Sequence, residues 1–165
     1  MNDTSPSRLE RMIARLSAQK AFLDFAASQV RDLPGPILEI GLGKGRTFSH
    51  LAKLFPSREI YAFDDGLRAP ADSAPEPARL ALGDFRLTLA AMRGRIAPAA
   101  LAHADFGSED RGFDAGQAVW LAPLIAALMA PGGLVVSDRA LSMPGWTPLA
   151  GPEGLEWTYH AARAG

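Results

Sequence analysis

Three glycines stand at alternate positions in the segment "PILEIGLGKGRTFSHL", residues 36–51, between a short apolar run and a helical pattern. The run "PILEIG" is bounded by turn residues and is typical of a buried strand, whereas Phe48, Leu51 and Phe55 recur at helical spacing. The segment therefore predicts a strand, a glycine turn and a helix. A glycine-rich entry to a helix allows a polar or anionic ligand to approach the unpaired backbone N–H groups.

The same order of strand and helix repeats along the chain. Further strands are predicted in "REIYAFDD", "RLALGD", "AALAHADF" and "GGLVVSDRAL". Helices are predicted over "FRLTLAAMRGRI" and over residues 113–129, where Pro123 is expected to introduce a kink. This alternation favours a mostly parallel sheet with helices on both faces. The predicted fold class is α/β, as a three-layer α/β/α sandwich.

The flanking segments are expected to complete one domain over residues 1–165. An amphipathic helix is predicted over residues 5–31, beginning either with Ser5 as N-cap and Pro6 in the first turn or with Ser7 and Glu10 as a capping box. Residues 33–141 would form the core, in which the proline-rich segment 66–78 is expected to be a loop. Residues 142–165 would form a tail and one antiparallel edge strand in "LEWTYHAA".

Composition excludes several kinds of site. The chain has no cysteine, so disulfides, thiolate metal sites and a cysteine nucleophile are impossible. The net charge of -1 gives no electrostatic reason to expect a nucleic-acid partner. The N-terminus lacks the pattern of a secretory signal and no apolar run is long enough for a membrane span, so we expect a cytoplasmic protein with no membrane partner.

Two nucleotide-binding templates fit the glycine turn poorly. A phosphate-binding P-loop needs glycine where Leu38 stands and Ser or Thr where Gly45 stands. A dinucleotide fingerprint needs a third glycine at Arg46, which counts against that template without excluding it.

A third template, E-x-G-x-G-x-G, is filled at every position by Glu39 and the glycines. Here the sequence resembles the class I S-adenosylmethionine (SAM) dependent methyltransferases, and the resemblance extends from about Leu33 to Leu141. It implies a Rossmann-like fold, SAM as cofactor and S-adenosyl-L-homocysteine (SAH) as product. The cofactor-binding residues it implies are Glu39, Gly41, Leu42, Gly43, Gly45, Arg46, Thr47, Asp64, Asp65, Gly83, Asp84, Phe85 and Asp105.

The resemblance also implies roles for the acidic strand ends. Asp64 would accept the ribose hydroxyls, with Asp65 as the alternative if the strand ends one residue later. Asp84 would accept from the adenine amino group and Phe85 would border the ring. Asp105 would lie beside the methyl group and the substrate. For each aspartate, the competing interpretation is a cap of the following helix or turn.

Asp105 is the predicted catalytic residue, while His103 is expected to be a packed or hydrogen-bonded histidine. Asp105 and Asp138 together are similar to the magnesium ligands of catechol-type O-methyltransferases, but Arg139 stands where a third oxygen ligand would follow. We therefore predict no metal site. Arg139 is expected either to pair with Asp138 or to bind an acidic substrate.

The sequence thus predicts a methyltransferase acting on a small molecule in a homo-oligomer. The alternatives are a non-catalytic SAM-binding module and, less favoured, an NAD(P)-dependent oxidoreductase. Two segments depart from the family pattern: residues 66–78 are a loop where a helix usually follows the second strand, and the tail is too short for the usual helix plus a full two-strand edge. Both regions normally help to shape the substrate pocket, so the site is expected to be either open or completed by another subunit. Candidates for that contribution are the first helix, Trp146, Trp157 and Tyr159.

Overall fold

A computed structural model of the chain describes residues 5–107 and 110–165. The described residues form one seven-stranded sheet flanked by helices, which confirms the predicted Rossmann-like α/β fold. The helices are α1 (Arg8–Gln29), α2 (Arg46–Leu54), α3 (Phe85–Met92) and α4 (Arg111–Ala126). The strands are β1 (Ile37–Ile40), β2 (Ile60–Asp64), β3 (Leu80–Leu82), β4 (Ala99–Ala104), β5 (Met129–Ser137), β6 (Thr147–Leu149) and β7 (His160–Arg163).

The strand order is β3-β2-β1-β4-β5-β7-β6. β1 to β5 are parallel, β7 is antiparallel to β5, and β6 is antiparallel to β7. The chain reverses the direction of strand addition between β3 and β4, because β1 lies between β2 and β4. In open α/β sheets a ligand binds at this point, outside the carboxyl ends of the strands.

Two apolar layers cover the sheet. On one face α1 and α2 pack through residues such as Phe22, Leu23 and Leu51. On the other face α3 and α4 pack through Leu89 and Leu121. Successive residues of a strand point to opposite faces, so Glu39 and His103 point toward the α1 face.

The helix predicted at the N-terminus begins with the second of its two alternative caps. Ser7 accepts from the Glu10 backbone N–H, and the Glu10 carboxylate accepts from the Ser7 N–H, which completes a capping box. Pro123 lies within α4, as predicted. None of the described helices combines the length and apolar character that crossing a membrane requires.

The C-terminal edge differs from its prediction. Two strands form where one was expected. β7 is antiparallel, as predicted, but it lies between β5 and β6 and not at the edge of the sheet. β6 was missed because it has only three residues and contains Pro148. Proline is tolerated in an edge strand, where its missing N–H faces away from the ladder. Residues 138–146, between β5 and β6, contain no helix, so the edge is shortened as predicted.

The loop at 66–78 is confirmed as lacking a regular α-helix. It contains a single-turn 3₁₀ helix at Ala71–Ser73, and a second one at Pro77–Arg79 leads into β3. Prolines at 70, 75 and 77 explain this, because each removes a backbone donor from a helical turn.

Candidate functional site

The glycine turn between β1 and α2 has a backbone that disfavours side chains. Gly41, Gly43 and Gly45 have φ angles of +92°, +52° and +77°, in the region that glycine adopts most readily. A β-carbon at Gly41 would lie 2.8 Å from the Asp105 carbonyl oxygen, and one at Gly45 would overlap the Ser73 carbonyl. A β-carbon at Gly43 would have no neighbour within 4 Å. Gly41 and Gly45 are therefore required by protein packing, whereas Gly43 leaves space for a ligand.

A cavity of about 830 Å³ opens beside this turn at the carboxyl ends of the strands. Its volume is within the range of ligand pockets, roughly 300–1,000 Å³. The predicted site residues that line it are Gly41, Gly43, Asp64, Asp65, Gly83, Asp84, Phe85 and Asp105. The structure brings these residues together from the ends of β1, β2, β3 and β4, which is the convergence the sequence predicts.

The other predicted residues are outside the cavity lining. Glu39, Leu42, Gly45, Arg46 and Thr47 do not line the cavity. Glu39 is fully buried, and its carboxylate accepts a short hydrogen bond from the Thr47 hydroxyl and contacts His103 Nδ1 at 2.9 Å. The hydrogen bond between Glu39 and Thr47 thus joins β1 to α2 across the glycine turn. Direct contact of either residue with the cofactor stays a prediction.

Asp64 is the last residue of β2 and is 7% exposed. Its carboxylate accepts from the Gly43 N–H at 2.6 Å, from the Asp65 N–H at 2.7 Å and from Arg68 Nη1 at 3.2 Å. Asp65 is exposed and pairs with Arg68 Nη2 at 2.6 Å. The strand therefore ends where the sequence predicts, and the Asp64 carboxylate is fixed against the glycine turn.

Asp84 caps a helix at the edge of the cavity. It lines the cavity, and it is also the N-cap of α3, accepting from the Arg86 N–H at 2.8 Å. The ring of the following residue, Phe85, packs on Phe106 with centroids 4.6 Å apart. These two rings form an apolar wall of the cavity.

Sequence reasoning missed part of that wall. Arg68, Arg86 and Phe106 line the cavity, as does one face of α4, namely Phe113, Gly116, Gln117 and Trp120. The sequence does hold a signal for this face, because residues 116 and 117 are three and four positions after Phe113, and Trp120 is four and three positions after them. Positions with these separations share one face of a helix.

Asp105 follows β4 and also lines the cavity, with its carboxylate only 2% exposed. Arg15 Nη2 donates to Oδ1 at 2.8 Å, the Tyr159 hydroxyl donates to Oδ2 at 2.9 Å, and the Gln19 amide makes a short contact with Oδ2. Burial alone would raise the pKa of Asp105, but His103, Arg15 and these hydrogen bonds lower it below its ordinary value. Asp105 is thus held as an anion.

The partners of Asp105 come from the same chain. Arg15 and Gln19 belong to α1, and Tyr159 immediately precedes β7. The first helix and Tyr159 therefore complete this part of the site within one subunit. Trp146 and Trp157 are partly buried and pack against the two apolar layers.

Arg139 pairs with Asp138, one of the two roles expected of it. Its guanidinium donates to Asp138 Oδ1 at 3.0 Å and to Gln117 Oε1 at 2.6 Å, and it lies 4.4 Å from the centroid of Phe106. Burial raises the pKa of Asp138, with the nearby Asp105 acting in the same direction. Within residues 5–107 and 110–165, no group of three or more His, Asp or Glu side chains is placed to hold a metal ion.

Comparisons with known proteins agree with this geometry. The family model described as S-adenosyl-L-methionine methyltransferase matches residues 6–160. The S-adenosyl-L-methionine methyl transferase from Silicibacter pomeroyi DSS-3 is 39% identical in sequence, and the match covers 98% of this chain and 100% of that one with a TM-score of 0.90. No curated protein sequence matches the chain.

More distant structures share the fold alone. TrmN from Thermus thermophilus is 18% identical, with 91% of this chain and 50% of that one covered and a TM-score of 0.55. The plantazolicin methyltransferase BpumL, crystallised with a triazolic desmethylPZN analog and SAH, is 13% identical, with 75% of this chain and 46% of that one covered and a TM-score of 0.52. The match over residues 6–160 and the 39% identical structure establish that the chain belongs to the S-adenosyl-L-methionine methyltransferase family and is a SAM-dependent methyltransferase.

Proposed function

We propose that this methyltransferase acts on a small-molecule acceptor, in the cytoplasm and as a homo-oligomer, with the cavity at the strand ends as its active site. The observation that carries the proposal is the convergence of Gly43, Asp64, Asp84 and Asp105 on one cavity of about 830 Å³. A cavity of that size suits a compact ligand. The chain also has a net charge of only -1, which favours a small acceptor over a nucleic acid.

The residues present fit SAM. Gly43 leaves open space at the turn, where the backbone N–H groups at the start of α2 favour a carboxylate. Asp64, at the end of β2, would accept the ribose hydroxyls, and Asp65, which also lines the cavity, is the alternative acceptor. Phe85 offers an apolar surface for the adenine ring and Asp84 an acceptor for the adenine amino group.

We assign the catalytic role to Asp105. SAM, when bound, supplies a methyl group on a positively charged sulfonium. The protein then has to orient the two reactants and stabilise their charges. Because its neighbours lower the pKa of Asp105, this carboxylate would act by its negative charge and would be a weak general base.

The proposed partner of α1 is a second copy of the chain. Leu9, Met12 and Ile13 are spaced by three and four residues and are 69%, 45% and 55% exposed. They form an apolar stripe on the first half of α1, and identical stripes pair in an isologous two-fold interface. We expect the Ile13→Asp variant to elute and scatter light as a smaller species than the wild-type protein, and an unchanged mass would contradict this interface.

The function is tested by incubating the protein with SAM labelled in its methyl group and a fractionated cell extract. We expect label to enter the low-molecular-weight fraction, and the Gly94→Asp variant, altered on an exposed turn far from the cavity, to give the same result. Label appearing only in the protein or nucleic-acid fraction, or in no fraction, would contradict a small-molecule acceptor.

A further inference from the structure

A continuous series of hydrogen bonds on the α1 face of the sheet connects Thr47, next to the glycine turn, to helix α1. Glu39 contacts Thr47 on one side and His103 Nδ1 on the other, at 2.9 Å. His103 Nε2 lies 2.6 Å from the Tyr159 hydroxyl, which lies 2.9 Å from Asp105 Oδ2. Asp105 in turn contacts Gln19 and Arg15 on α1. No step in the methyl transfer discussed above uses His103 or Tyr159.

The central members of this series are buried side by side. Glu39 and His103 are direct neighbours in the register of β1 and β4, and both are 0% exposed. Tyr159 is buried as well and packs against Phe22 of α1, with ring centroids 5.3 Å apart. Within the described residues, no buried side-chain nitrogen or oxygen lacks a hydrogen-bond partner. Buried polar groups in this arrangement are held in one geometry.

The donors and acceptors fix the positions of the protons. When the carboxylates of Glu39 and Asp105 are both ionised, they can only accept. The single hydroxyl proton of Tyr159 is therefore donated to Asp105, and the Tyr159 oxygen must accept from His103 Nε2. Since His103 Nδ1 donates to Glu39, both ring nitrogens carry a proton. With both carboxylates ionised, the contacts at 2.9, 2.6 and 2.9 Å are all hydrogen bonds between these groups only if His103 is an imidazolium.

The surrounding charges agree with that assignment. Burial alone would lower the pKa of His103, but the Glu39 carboxylate, with Asp105 and Asp138 further away, raises it above its ordinary value. Burial and the charge of Asp105 raise the pKa of Tyr159 well above its ordinary value, so its hydroxyl stays a donor. The cation facing the cluster from α1 is Arg15, which pairs with Asp105 at 2.8 Å.

We propose that His103, as an imidazolium, and Tyr159 are positioning residues for methyl transfer, which orient the anionic Asp105 carboxylate and join it to Glu39 beneath the glycine turn. The Asp105 backbone already abuts this turn, because its N–H donates to the Ile40 carbonyl at 3.1 Å and its carbonyl lies against Gly41. The series of hydrogen bonds connects the Asp105 side chain to this turn as well, through Tyr159, His103 and Glu39. Its consequence is a fixed orientation of the Asp105 carboxylate, which belongs to a cavity-lining residue, is 2% exposed and is paired with Arg15. The negative charge of this carboxylate would favour the sulfonium of SAM and have no value for the neutral sulfur of SAH. The inference rests on the proposed function in placing Asp105 beside the sulfonium.

The protonation state is tested on the unmodified protein by nitrogen NMR of labelled histidine. The chain has three histidines, so the variants His50→Asn and His160→Asn assign the spectrum by elimination. We expect His103 to give an imidazolium signature, with two protonated nitrogens, at pH 8, where an ordinary histidine is neutral. A neutral imidazole signature for His103 at that pH would overturn the proposal.

The positioning role is tested by comparing SAM and SAH affinities in the variant Tyr159→Phe by calorimetry. The chain has only one other tyrosine, Tyr61, whose hydroxyl contacts Glu59 at 3.3 Å on the exposed surface, so Tyr61→Phe is the matched control. We expect Tyr159→Phe to weaken SAM binding about tenfold and to leave SAH binding nearly unchanged, with Tyr61→Phe behaving as wild type. An equal loss for both ligands, which a merely structural role would give, or no loss for either, would overturn the inference.

The variant Asp105→Asn separates this inference from the proposed function. Selective loss of SAM affinity in Asp105→Asn, without such a loss in Tyr159→Phe, would leave the role of Asp105 standing and overturn the positioning role alone. Equal SAM and SAH losses in Asp105→Asn would contradict the placement of Asp105 itself, and with it the electrostatic role given to His103 and Tyr159.

Discussion

Gly43 combines an open side-chain position with a backbone fixed in place. Its N–H donates to Asp64 Oδ2 at 2.6 Å, and it lines the cavity with no atom within 4 Å of where a β-carbon would stand. The neighbouring glycines differ, because Asp105 and Ser73 occupy the corresponding space at Gly41 and Gly45. A side chain at Gly43 would therefore obstruct a ligand and not the protein.

We expect Gly43→Asp to weaken SAM binding more than about 100-fold, equivalent to about 2.7 kcal/mol. The added side chain blocks the approach to the backbone and sets a negative charge against the carboxylate of SAM. The measurement is calorimetric titration with SAM, alongside thermal unfolding. Gly94→Asp is the matched control, since Gly94 also has a positive φ, +74°, and an open β-carbon position but lies on an exposed turn. Unchanged affinity in Gly43→Asp would contradict the proposed cradle.

At this scale, the sequence predicts the residues that belong to local patterns. The glycines and Asp64 follow directly from a strand end and its turn, and the structure places Gly41, Gly43 and Asp64 at the cavity. The partners of Asp105 could not be predicted in the same way. Arg15 and Gln19 precede it by 90 and 86 positions, and no local pattern connects residues at such separations.

Helix α1 both packs on the sheet and contacts the site. One face buries Ala18, Phe22, Leu23 and Ala26 against the sheet, and Arg15 and Gln19, four residues apart, reach Asp105. The helix starts at the capping box of Ser7 and Glu10. Its stability and the geometry at Asp105 are therefore connected, because both depend on how α1 lies on the sheet.

We expect Ser7→Ala to lower the free energy of unfolding by about 1 kcal/mol, the usual cost of losing an N-cap. The Ser7 hydroxyl accepts from the Glu10 N–H at 3.2 Å, and alanine would leave that donor without its cap. Urea denaturation measures the change, with Ser57→Ala, in the exposed turn after α2, as the control. Equal midpoints for the two variants would show that this capping box contributes nothing to stability.

The elements that sequence analysis predicted are those with a strong intrinsic pattern. β1 and β4 are continuous buried runs and α1 has both a cap and an apolar face, so composition and spacing suffice. β6 is different, because a three-residue segment with Pro148 at its centre has no strand signal of its own. It forms because residues 147–149 pair with β7, and that pairing is set by the tertiary fold.

Across the whole molecule, the Glu39–His103 pair couples stability to pH. The folded-state pKa of His103 is raised above its ordinary value: burial lowers it, but the charge and hydrogen bond of Glu39, together with the charges of Asp105 and Asp138, outweigh that effect. A raised pKa adds stability that is fully present below the unfolded-state value of about 6.5 and is lost as the pH rises through the folded-state value. Asp105 acts in the opposite sense, since its lowered pKa adds stability above about 3.9 that disappears in acid.

We therefore expect the unfolding free energy of the wild-type protein to exceed that of His103→Gln most below pH 6.5, with the difference shrinking as the pH rises. Denaturant unfolding at a series of pH values for both proteins gives this difference, and shared groups largely cancel. A difference that does not change with pH, or that grows as the pH rises, would contradict the protonated His103.

The fold as a whole could be predicted because repeated βα units allow few arrangements, and the acidic strand ends then converge at one edge. The part of the cavity wall formed by α4 could not be predicted, and neither could the α1 side chains that hold Asp105, because no strand-end motif indicates either helix.

A crystal structure of the protein with SAH would test directly whether the cavity at the strand ends is the cofactor site. We predict that SAH lies in the cavity beside the glycine turn, with its ribose hydroxyls on Asp64, its adenine ring against Phe85 and its amino-acid part over Gly43. SAH bound outside this cavity, or within it with no contact to Asp64 or Gly43, would contradict the proposed cofactor site.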